Sequence, residues 1–289
     1  MIKTLEDYLN LVTSNLIIPN FYCSQAYLTA AGAQAIEEDG WARVEADGWV
    51  LFPPIPTSCD RLAPFLTPLP TRPHRHIPDF APMNYWSDFL NYVPDLGDYT
   101  PQFLDYEYTY STHDFQYMRG GRWEVFRKNC RKWPKRMGYA DFDWKIQDWW
   151  NCTPVAEEDA CRELLQQWEE AHPEGVEDIE LILQFLIDYS LPYVSRYALY
   201  SAGYRKQLLG ICVMDHTSIS RNFRFCIFRP DINYLNEYMR SFVLRRGEGY
   251  INDGGCLGKS GLEKFKDKLN PRIKRAVHSW IYTGGEITK

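Results

Sequence analysis

Between Tyr250 and Pro271 the chain reads YINDGGCLGKSGLEKFKDKLNP, and this is the stretch whose residue types and spacing speak most directly of chemistry. Asn252 and Asp253 end a short apolar run, Gly254, Gly255, Gly258 and Gly261 follow, and Lys259, Lys264, Lys266 and Lys268 come with them. A strand tip with an amide and a carboxylate, a turn of bare backbone N–H groups and a cationic helix are the parts of a pocket for a polar, anionic ligand. Group transfer is the chemistry such parts serve. Acyl transfer needs a proton acceptor, donors for the developing oxyanion, and charge to hold the donor molecule.

Each residue carries a second, structural reading. Asp253 is a candidate base or orienter of an acceptor amine, or an Asx-turn residue that shapes the loop into Gly254 and Gly255. Asn252 is a ligand contact or a side-chain cap. The four glycines permit close approach and could form an oxyanion or phosphate nest, although plain turn geometry needs two of them. Lys266 is an anion ligand or part of a solvated helix face. His216 is a candidate general base, since an imidazole titrates near neutral pH. Cys256 is a nucleophile or a small packed residue. His74 and His76 form an H-x-H pair with no third ligand in view, so no metal is expected.

A second charged segment lies upstream. From Arg119 to Arg136 eight basic residues stand against Glu124 alone, and from Lys259 to Arg275 seven stand against Glu263 and Asp267. With a net charge of −6 over 289 residues, the rest of the chain sums to −18. An acidic body with two cationic segments implies a local anion site in place of a general nucleic-acid surface. Trp123, Phe126, Cys130 and Trp133 recur at helical spacing, with Arg127, Lys128, Arg131 and Lys132 on the other side and Pro134 as the expected end. That pattern fits a solvated basic face over an aromatic stripe, or a phosphate-binding helix.

The elements that must position these residues follow from periodicity. A helix is expected over Leu5 to Ser14, two strands around the Asp47-Gly48 turn between Trp41 and Phe52, a proline-rich loop from Pro53 to Pro82, a short helix from Asn84 to Tyr92, and a half-buried strand at Tyr106 to Tyr110. Thr153 and Pro154 open a helix with the stripe Ala160, Cys161, Leu164, Leu165 and Trp168. A helix from Asp178 to Tyr189 precedes strands at Tyr197 to Ser201, Leu208 to Met214 and Phe223 to Phe228. Asp231 is expected to cap the next helix, which leads to the strand Tyr250 to Asn252, and Val277 to Tyr282 is the last strand. This is an α+β order.

Composition is that of a globular protein, 45% hydrophobic and 24% charged, with 16% aromatics that point to thick aromatic cores. No apolar run is long enough to span a bilayer, and no leader pattern is visible, so a soluble, cytoplasmic protein is expected. Eight cysteines without a CxxC pair read as reduced, mostly buried thiols.

The order of elements resembles the GNAT acyltransferase fold. GGRWEVFRKNCRKW is similar to the G-K-x-x-x-x-K-R-N helix of the phosphatidylglycerol lysyltransferase C-terminal domain family. The segment from Tyr250 to Pro271 is similar to that family's I-N-x-x-x-D-L-G-x-x-G-L-x-x-x-K-x-x-x-x-P, with Asn252, Leu257, Gly258, Gly261, Leu262, Lys266 and Pro271 in register. Cys256 stands where the pattern has an acid. The resemblance, which extends to Fem-type aminoacyltransferases, implies tandem GNAT-like domains with mixed sheets flanked by helices, 1–150 and 151–289. It implies an acyltransferase that moves an acyl or aminoacyl group from acyl-CoA or aminoacyl-tRNA to a small-molecule or macromolecular amine or hydroxyl. Asp253 and His216 would be catalytic; Arg127, Lys128, Arg131, Asn252, Gly254, Gly255, Gly258, Gly261 and Lys266 would bind the donor. The CIFRPDINYL junction lacks the glycine loop with which GNAT enzymes cradle a pyrophosphate. The alternative is a non-catalytic protein of this fold that holds nucleic acid or another polyanion.

Overall fold

The structure, a computed structural model, describes residues 2–14, 21–38, 40–52, 55–57, 74–78, 99–136, 147–148, 154–172, 178–201, 207–217, 221–246 and 248–282. The expected helix at Asn84 to Tyr92, most of the proline-rich run, and Thr153 lie outside them.

Helix α1 (Leu5–Ser14) buries Tyr8 and Val12, one turn apart. Helix α2 (Gln25–Ala30) starts at Ser24, whose Oγ accepts the Tyr27 N–H at 3.1 Å. Strands β1 (Gln34–Glu38), β2 (Trp41–Ala46) and β3 (Trp49–Val50) follow. The turn between β2 and β3 puts Asp47 at φ 50° and Gly48 at φ 80°, the left-handed pair that closes a tight hairpin. Short β4 (Ile55–Pro56) and β5 (His74–Pro78) lead to the 13-residue β6 (Tyr99–Ser111).

Helices α3 (Thr112–Tyr117) and α4 (Glu124–Arg136) come next, the second entered through a 3-10 turn at Gly121–Trp123. Trp123 and Phe126 are buried as their spacing requires. The helix does not stop at Pro134. A proline in the last turn forfeits a single i→i−4 bond, and two more residues follow it.

The second half runs β7 (Gln147–Asp148), α5 (Pro154–Glu170), α6 (Ile179–Ile187), β8 (Val194–Tyr200), β9 (Leu208–His216), β10 (Arg221–Phe228), α7 (Leu235–Leu244), β11 (Tyr250–Asn252), α8 (Ser260–Lys268) and β12 (Ile273–Tyr282). Asp231 is not the cap of α7. Its carboxylate pairs with Arg229 at 2.8 Å instead, and Tyr234, at φ 68°, occupies the position before the first helical residue.

Among the described residues all twelve strands join one sheet, in the order β1-β2-β3-β5-β12-β6-β11-β10-β9-β8-β7, with β4 on β2. The sheet does not break between the halves of the sequence: β12 lies between β5 and β6, and β6 hands over to β11. β9 is buried at eight of nine positions, which makes it an anchor of the second half. Each fully buried aliphatic side chain there contributes ~1.5–3 kcal/mol over exposure. One face of this half packs Tyr110, Met214, Phe223 and Met239 under α3, α4 and α7. The other packs Ile211, Val213 and Ile227 against α2, α5 and α6. Among the described residues no helix is long and apolar enough to cross a membrane.

Candidate active site

Nearly every neighbouring pair of strands in this sheet is antiparallel. At β10 and β11 two strands run parallel, and they pair only through Arg221 with Ile251 and Asn222 with Asn252. Beyond that crotch β11 ends and β10 continues to Phe228, so its edge loses a strand partner. At the same place β10 bulges: Phe223 faces Met214 and Phe225 faces Val213, with Arg224 inserted between. A bulge re-aims side chains and takes backbone groups off the ladder. A fork of this kind is the opening a sheet offers to an extended ligand.

The residues singled out in the sequence gather at the far lip of this fork. Asn252 donates through Nδ2 to Glu107 Oε2 at 3.1 Å, and its Oδ1 accepts the Gly254 N–H at 2.9 Å. Glu107 also takes the Arg275 guanidinium at 2.6 Å and the Phe21 N–H at 2.9 Å. Asp253 points to the opposite face. Its Oδ2 accepts from Arg240 Nη1 at 2.6 Å, and its Oδ1 lies 3.6 Å from Lys266 Nζ. Lys266 is fully enclosed and donates to the backbone carbonyls of Asp253 and, at 2.7 Å, Gly255. Burial pushes its ammonium below the ordinary lysine value. Asp253 and Lys266 thus tie the glycine turn to α7 and α8.

The turn is indeed an anion nest, and the anion in it belongs to the chain. Asp105 Oδ2, from β6, accepts the Cys256 N–H and, at 2.6 Å, the Leu257 N–H. Gly255 is required by this approach, since a Cβ there would stand 2.2 Å from Asp105 Oδ2. Gly254, at φ +60°, is packed by the Phe21 ring, 2.8 Å from where a Cβ would sit. Gly258 and Gly261 face open space. Cys256 is buried, and burial pushes its thiol up to about 11.

The basic helix builds a different place. Arg127 and Arg131 of α4 face Gln116, Met118, Tyr238 and Arg245 across a cleft of about 400 Å³. Arg127 is oriented by the carbonyls of Met118 and Gly120, the latter at 3.1 Å. Lys128, next in sequence to Arg127, is exposed and is not part of the cleft lining. None of Arg127, Lys128, Arg131 and Arg245 has a carboxylate partner among the described residues. Helix α7 separates this cleft from the glycine turn, so the two motifs do not line one pocket.

His216, at the end of β9, shares a cavity of about 230 Å³ with Glu6, Asn10, Cys23, Gln25 and Tyr193. Its Nε2 lies 3.1 Å from Ser195 Oγ, and burial holds its pKa below the ordinary histidine value. It is therefore uncharged at neutral pH, the state in which it can accept a proton.

The polar residues of the near lip belong to no motif in the sequence. Asp215 and Asn222 are direct cross-strand partners, and both are fully buried. Arg224, the bulge residue, donates to Asp215 Oδ2 at 2.8 Å and to Ser24 Oγ at 2.8 Å, and Ser24 donates to the same carboxylate. Phe21 covers the guanidinium, its ring centroid 4.2 Å from the central carbon. A charged pair inside otherwise apolar strands, MDH and NFRF, was the available signal.

Solved structures with this architecture extend over almost the whole chain. A conserved protein of unknown function from Bacteroides thetaiotaomicron VPI-5482 superposes with TM-score 0.71 at 14% identity, covering 96% of this chain and 97% of that one. FemX superposes with TM-score 0.61 at 9% identity, over 98% and 96%. The C-terminal domain of a putative lysylphosphatidylglycerol synthetase from Agrobacterium fabrum gives 0.59 at 11%, over 97% and 93%. The chain has their fold. It is α+β, with a mixed sheet flanked by helices, as the order of elements led one to expect. No protein-family model and no curated protein matches the sequence.

Proposed function

We propose that the protein is an acyl- or aminoacyltransferase that carries its donor in the β10/β11 fork. The observation that supports this reading is the fork itself: two parallel strands that pair at two positions, with a bulge beside the crotch, in a fold shared along its length with a lysylphosphatidylglycerol synthetase domain and FemX. The synthetase is named for an aminoacylated lipid, which favours an activated aminoacyl or acyl donor and an amine or hydroxyl acceptor here. The halves 1–150 and 151–289 are then two GNAT-like domains, the second lending β12 to the first. His216 is assigned the proton transfer, and Asn252, Asp253, Lys266 and the glycines hold the lip of the fork in shape. Incubation with acyl-CoAs or charged tRNAs and a panel of amines and hydroxyl compounds tests this, with acylated product read by mass spectrometry. Product formation that falls 10²–10⁴-fold in His216→Gln is the expected result. Absence of product with every donor, together with no thermal stabilisation by any of them, would end the reading.

A second reading rests on the α4 cleft. Arginines without carboxylate partners repel one another unless an anion is present, and this favours a polyanion along Arg127, Lys128, Arg131 and Arg245. The reading requires binding to tRNA or DNA to weaken steeply with salt, about one logarithmic unit per phosphate neutralised. A flat salt dependence excludes it.

A further inference from the structure

Among the described residues no acid lines the α4 cleft, while three arginines do: Arg127, Arg131 and Arg245. The acids on the same helices are placed elsewhere. Glu237 of α7 accepts from Asn129 Nδ2 at 3.1 Å, Asp114 of α3 takes Arg272 at 2.7 Å, and Glu124 is exposed in the first turn of α4. Two of the three arginines are fixed by a single residue. Met118, buried at the left-handed end of α3 with φ 43°, offers its carbonyl to Arg127 Nη1 and its Sδ, at 3.6 Å, to Arg245 Nη2. Gly120 adds a second carbonyl to Arg127 Nη1 at 3.1 Å. Arg131 lies one turn after Arg127 on the same face of α4, and it has no bond of its own among the described residues. Like charges at that spacing weaken a helix unless an anion joins them.

The charge of the cleft sets the charge of its occupant. Three guanidinium groups carry +3, and the C-terminal ends of α3 and α7, which reach the cleft at Met118 and Arg245, each supply up to about half a negative charge. About +2 is left over. A carboxylate or a phosphodiester brings about −1 and leaves half of that unmatched, whereas a phosphate monoester brings about −1.5 to −2 at neutral pH. The volume, about 400 Å³, is that of a small-molecule pocket. Lys128 stands outside the lining, so the three charges converge on one place and form no track along the helix.

We propose that the α4 cleft is a binding site for the phosphate monoester of a small molecule. The three terminal oxygens of such a group match three guanidinium groups, each of which presents paired N–H donors to an oxyanion. Preorganisation favours the same occupant: Arg127 and Arg245 are held on either side of Met118 before any anion arrives. This rests on the second reading above only in placing an anion in the cleft, and it narrows that anion from a polymer to one terminal phosphate.

The full-length chain is titrated at fixed ionic strength with glycerol 3-phosphate, and with dimethyl phosphate and acetate as singly charged controls, following thermal midpoint and ligand-observed NMR. Glycerol 3-phosphate raises the midpoint at pH 7.5 and the controls do not. Its affinity falls about tenfold at pH 5, because the second proton of a phosphate monoester titrates near pH 6. Arg131→Gln weakens binding at least tenfold and leaves the unliganded midpoint unchanged, since an exposed side chain without a bond has been replaced. Lys128→Gln binds as the parent does. The proposal is overturned if no probe responds, if Arg131→Gln binds as the parent does, or if dimethyl phosphate responds as strongly as glycerol 3-phosphate, for then the cleft reads a nucleic-acid linkage. A response to glycerol 3-phosphate beside a flat salt dependence with tRNA upholds this site and excludes the polymer; steep tRNA binding without that response does the reverse.

Discussion

Two buried charged clusters flank the same fork, and they are built to opposite ends. On the α7 and α8 side, Asp253, Arg240 and Lys266 have no enclosed side-chain atom left unbonded among the described residues: Lys266 bonds carbonyls of the glycine turn, and Arg240 bonds Asn236 as well as Asp253. On the α2 side, Asp215 Oδ1, Oδ1 and Nδ2 of Asn222, and Arg224 Nη1 are enclosed without a partner among the described residues. The first arrangement rigidifies a turn. The second carries a standing cost in unbonded, enclosed polar atoms. Both clusters are buried; they differ in charge, two cations facing Asp253 and one facing Asp215, and in the number of enclosed atoms left unbonded.

Breaking the saturated cluster has the largest expected effect. Lys266→Met leaves Asp253 paired with Arg240 and strips the buried carbonyls of Asp253 and Gly255 of their donor, which should lower unfolding stability by ~2–5 kcal/mol in urea denaturation. A loss below about 1 kcal/mol would mean that the turn is held by something else. Gly255→Ala comes next. The Asp105 carboxylate that a Cβ would strike is pinned by two N–H bonds and cannot swing away, so a loss of ~1–3 kcal/mol is expected. The same change at Gly261, which faces open space inside α8, should be neutral or stabilising.

In the unfinished cluster the sign reverses. Asn222→Leu should change stability by less than ~0.5 kcal/mol, or raise it, because no bond is lost. A large loss would erase the contrast between the two lips. The smallest effect concerns His216, whose folded pKa is depressed by burial. Between that pKa and the unfolded value of about 6.5 the unfolded chain binds more protons, so its contribution is complete above this window and is lost as pH falls through it. Replacing His216 by Gln should flatten the pH dependence of the thermal midpoint just below the unfolded pKa of about 6.5. An unchanged slope would mean that the imidazole is not held neutral.

Local pattern carried much of this fold. The stripe of α5, the Asp47-Gly48 hairpin and the strands β8 to β10 follow from periods of 3.6 and 2 and from residues that tolerate positive φ. The α7 cap was misread for a local reason of another kind: Asp231 had a cation two residues away at Arg229, which out-competes a backbone N–H. Glycines and an acid in YINDGGCLGKSG correctly announced an anion nest. That its anion is Asp105 lay beyond reach, because 151 positions separate Asp105 from Cys256.

The sequence by itself determined the elements, the α+β order, the cationic helix and the glycine turn, since each depends on neighbours within a few residues. Tertiary structure decided which of these groups are already bonded to one another. Asp215, Asn222, Ser24 and Arg224 meet only because β9, β10 and the segment before α2 converge, and hydrogen-bond satisfaction is a property of that convergence.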